Sequence, residues 1–290
     1  MSGSGKVEIC LDPIFVVGSP RSGTTILARS LGEHSALWAS DESHFLARLV
    51  EAAEDVYASG LEGHRQSWLW AQSVGRAEFI SCLGTGVNAL FTSRSGGRRW
   101  IDHTPYYLDI AETLVEVFPE ARFIHVLRDG RRVVHSMLHL LDRPRFVVGR
   151  RRSGGPRLGR WGEDFRAACR LWSSSVQAAT RFVGQHPERA RTVVHERLVA
   201  DPEPAFEELF DFIGVESEAS PLEVFRSTLI NSSFAADGAV PPGGLDEPWL
   251  GWSREERAQF ASEAGPTIIG AGFVGRDELA AWEQAAGPAP

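Results

Sequence analysis

The residues of this chain best suited to chemistry lie in Gly18-Ser19-Pro20-Arg21-Ser22-Gly23-Thr24-Thr25, directly after the apolar run Ile14-Phe15-Val16-Val17. A glycine-bounded polar loop between a buried strand and a helix lets backbone N–H groups close around phosphate oxygens, and the helix dipole favours the anion. Arg21 is the loop's cation, able to face a charged leaving oxygen, while Ser22, Gly23, Thr24 and Thr25 supply amides and hydroxyls. A second candidate is Glu42, in Ser40-Asp41-Glu42-Ser43, between a short apolar segment and a helical pattern. A carboxylate within reach of an acceptor hydroxyl can take its proton. An acid here equally complements a helix N-terminus, and spacing leaves both roles open. His103, in Trp100-Ile101-Asp102-His103-Thr104-Pro105, falls where a short strand meets a turn.

The loop is not that of a nucleoside-triphosphatase. Such an enzyme needs Lys directly after the second glycine and then Ser or Thr for Mg²⁺, and Thr24 and Thr25 stand there. Lys6 is the chain's one lysine, so cationic roles in a site fall to Arg or His. Net charge is −8, which argues against general nucleic-acid binding. Residues 122–170 nevertheless carry 13 arginines against Asp129, Asp142, Glu163 and Asp164, a local balance of +9. That clustering points to a small polyanionic ligand, with a solvated basic face as the plain alternative.

The string from Ile14 to Thr25 resembles the 5′-phosphosulfate-binding loop of sulfotransferases that use 3′-phosphoadenosine 5′-phosphosulfate (PAPS), in the bacterial, tyrosylprotein-sulfotransferase-like branch reading Pro-Arg-Ser-Gly-Thr-Thr. The resemblance continues at the strand Arg122-Phe123-Ile124-His125-Val126-Leu127, followed by Arg128 and, eight residues on, Ser136. In that family this pair grips the 3′-phosphate. The resemblance implies that Arg21, Ser22, Gly23, Thr24, Thr25, Arg128 and Ser136 bind the donor, that Glu42 is the general base, and that Arg21 stabilises charge on the 5′-phosphate. It leaves His103 as the rival base or, in its charged form, as a stabiliser of the sulfuryl or bridging oxygen. It implies sulfonate transfer from PAPS to a hydroxyl of a small-molecule acceptor, with PAP as product and no metal. A P-loop nucleotide-dependent kinase and a non-catalytic PAP-binding regulator are the alternatives. Two departures leave adenine contacts open: Ile26 stands where the cytosolic branch stacks a Trp, and the region of Ser232-Ser233 and Pro241 to Trp252 lacks an Arg-Lys-Gly string.

The elements that must position these residues read as an α/β fold, a P-loop-like three-layer α/β/α arrangement with a central, mostly parallel sheet. Strands are expected at 14–17, 36–39, 100–103, 122–127 and 191–195. Helices are expected from Thr24 to about Glu33, from Phe45 to Tyr57, from Tyr106 to Phe118, from Asp164 to Phe182 and from Glu203 to Ile213 with Asp201-Pro202 capping it. Ser253-Arg254-Glu255-Glu256 reads as a capping box. In doubly wound sheets ligands sit beyond the carboxyl ends of strands, which is where Glu42 and His103 fall. Residues 59–100 show no clear pattern, and their aromatics Trp68, Trp70, Phe79, Phe91 and Trp100 are assigned to the core. The Arg/Gly-rich stretch from Leu141 to Trp161 reads as a mobile loop.

One domain over 1–290 is expected, with flexible ends at 1–12 and from Ala285. No signal peptide and no run near the roughly 20 apolar residues of a membrane span is present, so a soluble, cytoplasmic protein without a membrane partner is expected. Cys10, Cys82 and Cys169 lack metal-ligand spacing and are read as reduced thiols. Oligomeric state is left open.

Overall fold

The structure, a computed structural model, describes residues 8–62, 67–105, 107–139, 164–227 and 247–284. Lys6, the stretch from Leu141 to Trp161, Ser232-Ser233, Pro241 to Gly244 and the tail from Ala285 lie outside the described residues. In chain order the elements are β1 (Ile14–Val17), α1 (Thr24–Leu31), β2 (Leu37–Ala39), α2 (Phe45–Leu61), α3 (Trp68–Ala71), α4 (Arg76–Ser95), β3 (Arg99–Asp102), α5 (Ala111–Val117), β4 (Arg122–Leu127) and α6 (Gly130–Leu138). They continue with α7 (Phe165–Gln185), β5 (Ala190–Val194), α8 (His195–Ala200), α9 (Pro202–Ile213), α10 (Ala219–Ser227), α11 (Arg254–Gly270) and α12 (Arg276–Gln284).

The five strands form one sheet in the order β2-β3-β1-β4-β5, and every pairing is parallel. A parallel sheet is covered on both faces, which is why β1 is apolar at every position and wholly buried. Alternate residues of β1 enter different cores. Phe15 and Val17 join Trp100 and Phe123 against α2, α4, α5 and Phe182 of α7. Ile14 and Val16 join Ile101, Ile124 and Val126 against α1, α8, α9 and α10. The result is the expected α/β/α layering. Phe15 sits at its centre, with ring centroids 5.3–5.5 Å from those of Trp100, Tyr107, Phe118 and Phe123. Burying such a side chain contributes about 1.5–3 kcal/mol. A third core joins α6, α7, α11 and α12 around Trp172 and Phe260.

The unreadable region contains a 20-residue helix, α4. Its buried positions, Ile80, Gly84, Val87, Asn88, Phe91, Thr92 and Ser95, follow helical spacing, but four of the seven are glycine or polar and give no hydropathy signal. Each has a job. Gly84 faces α5 so closely that a Cβ would lie 2.0 Å from Val117 Cγ1. Asn88 accepts from the Cys10 N–H at 2.9 Å and from Trp100 Nε1 at 3.2 Å, anchoring the chain that leads into β1. Phe91 and Trp100 are buried as expected, whereas Trp68 and Trp70 are 69% and 53% exposed and correct the core assignment. They occupy α3, a four-residue helix with no buried position.

Two helix starts also differ in detail. Asp201 stands at the N-cap of α9 with Pro202 at the first position, yet its side chain makes no capping hydrogen bond. His195 begins α8 rather than ending β5. The capping box at Ser253 and Glu256 is present, with both bonds made. No helix among the described residues is long and apolar enough to cross a membrane.

Candidate active site

β1 stops at Val17, and at Gly18 the chain leaves the sheet so close to β4 that a Cβ would lie 2.8 Å from the Val126 carbonyl oxygen. The Ser22 N–H donates to the Ser19 carbonyl at 3.1 Å and its hydroxyl donates to the same oxygen, closing the turn. Arg21 takes a φ of 74°, left-handed backbone that non-glycine residues adopt only when surroundings enforce it. The enforcement is visible: Arg128 Nη1 donates to the Arg21 carbonyl at 3.0 Å, and Arg21 Nε donates to Ser136 Oγ at 3.0 Å. Gly23, with φ 103°, is the N-cap of α1 and leaves that terminus without a side-chain cap. Thr24 is buried at the first helical position and Thr25 is half-buried beside it.

Arg128 leaves β4 and is fixed from behind. Its carbonyl accepts from Trp172 Nε1 at 3.1 Å, and Gly130 lies under the Trp172 ring, where a Cβ would approach to 2.7 Å. Asp129 caps α6 by accepting from the Arg131 N–H at 2.9 Å and pairs with the Arg131 guanidinium at 2.7 Å. Its own N–H donates to Glu196 Oε1 at 3.1 Å. Arg128 Nε, Glu196 Oε2 and His195 Nδ1 are buried and have no hydrogen-bond partner among the described residues. A buried guanidinium N–H without an acceptor is costly, and an anionic ligand oxygen removes that cost. Burial, with help from Arg128 and Arg132, pushes the His195 imidazole down to about 3, so it is neutral at pH 7. His195 also lies against the loop, since a Cβ on Gly23 would meet its Nδ1 at 2.7 Å.

Glu42 and His103 follow β2 and β3, which pair side by side. Asp102, the last residue of β3, is 2% exposed and accepts from the Thr104 N–H at 3.1 Å, the Thr104 hydroxyl at 2.8 Å and the Tyr107 hydroxyl at 2.5 Å. Thr104 Oγ1 accepts in turn from the Ser43 N–H at 2.9 Å, and the Ser43 and Tyr107 hydroxyls lie 2.9 Å apart. The turn bearing Glu42 is thereby tied to the end of β3. Glu42 does not serve the helix terminus: His44 is the N-cap of α2, and no acid occupies its first turn. Asp41 instead pairs with Arg29 at 2.6 Å. Burial, then the charge of Asp102, raises the Glu42 carboxyl to about 7, with Arg21 opposing. Its Oε2 lies 3.2 Å from His44 Nε2. His103 is buried, and burial lowers its pKa despite the nearby Asp102. Burial therefore works against the charged form expected of His103, because a buried imidazolium loses its hydration.

The structure brings all nine expected residues to the carboxyl ends of β1, β2, β3 and β4. Loop and α6 touch through Arg21, Arg128 and Ser136, and Glu42 is within the electrostatic reach of Arg21. Residues that the sequence did not single out are Asp102, Thr104 and Tyr107, tied to the turn after Glu42, with His195 against the loop and Glu196 against Asp129. Among the described residues no group of His, Cys, Asp or Glu side chains is placed to hold a metal ion.

The family model described as "Sulfotransferase family" matches residues 13–219, from the start of β1 to the start of α10. The chain belongs to the sulfotransferase family. Within that family it is 24% identical, over 90% of its length, to protein-tyrosine sulfotransferase A of Caenorhabditis elegans, of which it covers 67%. It spans 38% of the length of the protein-tyrosine sulfotransferase of Drosophila melanogaster and 53% of that of protein-tyrosine sulfotransferase 1 of Danio rerio. The solved structures that share its fold include two examples. The sulfotransferase domain from the curacin biosynthetic pathway has a TM-score of 0.54 at 20% identity, over 88% of this chain and 98% of that one. Mouse sulfotransferase SULT7A1 complexed with PAP has a TM-score of 0.50 at 13% identity, over 94% and 89% of the two chains.

Proposed function

We propose that this protein transfers the sulfonate group of PAPS to a hydroxyl of a small-molecule acceptor and releases PAP. The observation that carries the donor reading is the clasp between loop and α6. A 5′-phosphate needs only the loop, whereas Arg128 and Ser136 add a second set of donors held to Arg21, with Arg128 Nε buried and unmatched. A second phosphate accounts for them, and the SULT7A1 structure of the same fold is a complex with PAP.

PAPS supplies, when bound, an activated sulfonate whose leaving group is a 5′-phosphate. The amides at the N-terminus of α1, Arg21 and the Thr24 and Thr25 hydroxyls hold that phosphate and offset the charge growing on it. Arg128 and Ser136 hold the 3′-phosphate. Glu42 takes the proton of the acceptor hydroxyl; a carboxyl raised to about 7 is a stronger base than an ordinary one and is substantially ionised at neutral pH. His103, neutral, donates a ring N–H to a sulfonate oxygen. The fixed cations are side chains, so the mechanism calls on no metal.

A second acceptor reading, a tyrosine on a peptide, is favoured by the names of the relatives, which include protein-tyrosine sulfotransferases of worm, fly and fish. Transfer of radiolabelled sulfonate to a panel of phenols, alcohols and sugars, run beside tyrosine-bearing peptides, separates the two.

The donor is tested by calorimetric titration with PAP, ADP and ATP·Mg²⁺. Arg128→Ala is expected to weaken PAP binding by about 10- to 100-fold, as loss of a charged hydrogen bond of 1.5–3 kcal/mol requires, and to weaken ADP binding less, because ADP loses only the support that Arg128 gives the Arg21 carbonyl. Tighter ATP·Mg²⁺ binding, indifferent to Arg128, would return the protein to the nucleotide-dependent kinases.

A further inference from the structure

Asp102 is a buried carboxylate to which the proposed chemistry assigns no step, and it is unusually well furnished. Three donors converge on it, from the Thr104 N–H, the Thr104 hydroxyl and the Tyr107 hydroxyl. Two of those groups do not end there. The Thr104 oxygen accepts from the Ser43 N–H at 2.9 Å and the His44 N–H at 3.3 Å, and the Tyr107 hydroxyl meets the Ser43 hydroxyl at 2.9 Å. The network therefore runs from the tip of β3 across to the residues directly after Glu42. Those residues need holding, because His44 takes a left-handed φ of 54° and α2 has no side-chain cap. A simple structural filler would serve without a charge. Here the charge is kept buried beside Glu42, where a like charge favours the protonated form.

We propose that Asp102 is the positioning residue for Glu42, fixing the 42–44 turn through Thr104 and Tyr107 and setting its own negative charge against the Glu42 carboxyl. The inference rests on reading Glu42 as the base. The other groups facing that carboxyl are Arg21 from the loop, Arg29 from α1, Asp41 in the same turn and His44 at the start of α2. Arg21 and Arg29 pull toward the ionised form, so Asp102 is the buried group on a neighbouring strand that opposes them. Burial first and Asp102 second outweigh the two guanidinium groups and leave a carboxyl that both ionises near neutral pH and binds a proton firmly, as a base in sulfonyl transfer to a hydroxyl requires.

The test needs no acceptor. Protein carrying glutamate labelled with ¹³C at the side-chain carboxyl is titrated by NMR, and the Glu42 resonance is assigned by its loss in Glu42→Gln. Its midpoint is expected near pH 7 in the parent. Asp102→Asn keeps an oxygen for Thr104 but removes the charge, and is expected to lower the midpoint by about one pH unit. Thr104→Val keeps the charge but cuts the tie, and is expected to speed hydrogen exchange at the Ser43 and His44 amides at least about tenfold. PAP titration confirms that each variant is folded. An unmoved midpoint in Asp102→Asn overturns the proposal; should that variant fail to fold, unchanged exchange in Thr104→Val overturns it instead. Sulfonate turnover by Glu42→Gln tests the base assignment separately, so wild-type turnover there sinks that assignment while the resonance still reports on Asp102.

Discussion

On the donor side of the site, the loop after β1 and the start of α6 hold one another through guanidinium groups; on the acceptor side, the ends of β2 and β3 hold one another through hydroxyls and a carboxylate. Arg21 and Arg128 are guanidinium groups, whose ordinary pKa is so high that they stay protonated even where burial works against the charge, as it does at Arg128, and each is fixed by a partner more than a hundred residues away. Glu42 and His103, by contrast, are groups whose ordinary pKa lies low enough for burial to bring the neutral form into play near neutral pH. The difference follows from the ligands each half is proposed to serve. Phosphates are anionic before and after reaction and are best met by charges that never change. An acceptor hydroxyl gives up a proton, and the group that takes it must change charge within the reaction. Permanent charge and tunable charge are thus kept on separate pairs of strands.

The largest expected effect would break the two halves apart functionally. Glu42→Gln is expected to lower turnover by about 10²- to 10⁴-fold, the usual contribution of a general base, while PAP affinity stays within about twofold. His103→Asn is expected to do less. If the histidine variant instead carries the larger loss with Glu42→Gln near wild type, the two roles exchange; if Glu42→Gln weakens PAP binding as strongly as turnover, donor and acceptor sides are not separate at all.

A smaller effect sharpens the donor side. Gly23→Ala forces a side chain onto a φ of 103° and a Cβ to 2.7 Å from His195 Nδ1. We expect a loss of about 1–3 kcal/mol in denaturant unfolding, with weakened PAP binding. In a His195→Ala background the steric part disappears and the strain remains, so the same substitution should cost less there. Equal cost in both backgrounds would mean that His195 does not support the loop.

Legibility in the sequence divides along the same line. The donor half was legible because its requirements are local and residue-specific: Gly18, Gly23 and Arg21 lie in one loop, and Arg128 and Ser136 are a fixed eight residues apart. The sheet was legible because a buried parallel strand such as β1 is apolar throughout. The acceptor half was legible only as two points, Glu42 and His103, since the network joining them runs from Ser43 to Thr104 and no periodicity links residues 61 positions apart. α4 stayed hidden for another reason: beside Ile80, Val87 and Phe91 its core face carries Gly84, Asn88, Thr92 and Ser95, which bury by close approach and hydrogen bonding rather than by hydrophobicity. Trp68 and Trp70 misled in the opposite direction, because a large apolar side chain is a core signal only when the backbone turns it inward.

The smallest expected effect is on stability, and its sign separates the two halves. The Glu42 carboxyl has a pKa of about 7 in the folded protein against 4.5 for an ordinary glutamate. Between those values the folded protein holds a proton that the unfolded chain has released. This group's contribution is therefore most favourable below pH 4.5, declines as pH rises to 7 and is constant above. Glu42→Gln removes the loss, so above pH 7 the variant should melt higher than its parent, by a few degrees at most, and the margin should vanish below pH 5. Comparing variant with parent at each pH cancels the titration of every group that does not interact with Glu42. A variant less stable than its parent at pH 8 would mean that Arg21 outweighs burial and Asp102, and that Glu42 is held as an ion pair like those of the donor side. A variant more stable there would show that the acceptor side keeps its carboxylate at a cost to the fold, which only a role in chemistry accounts for.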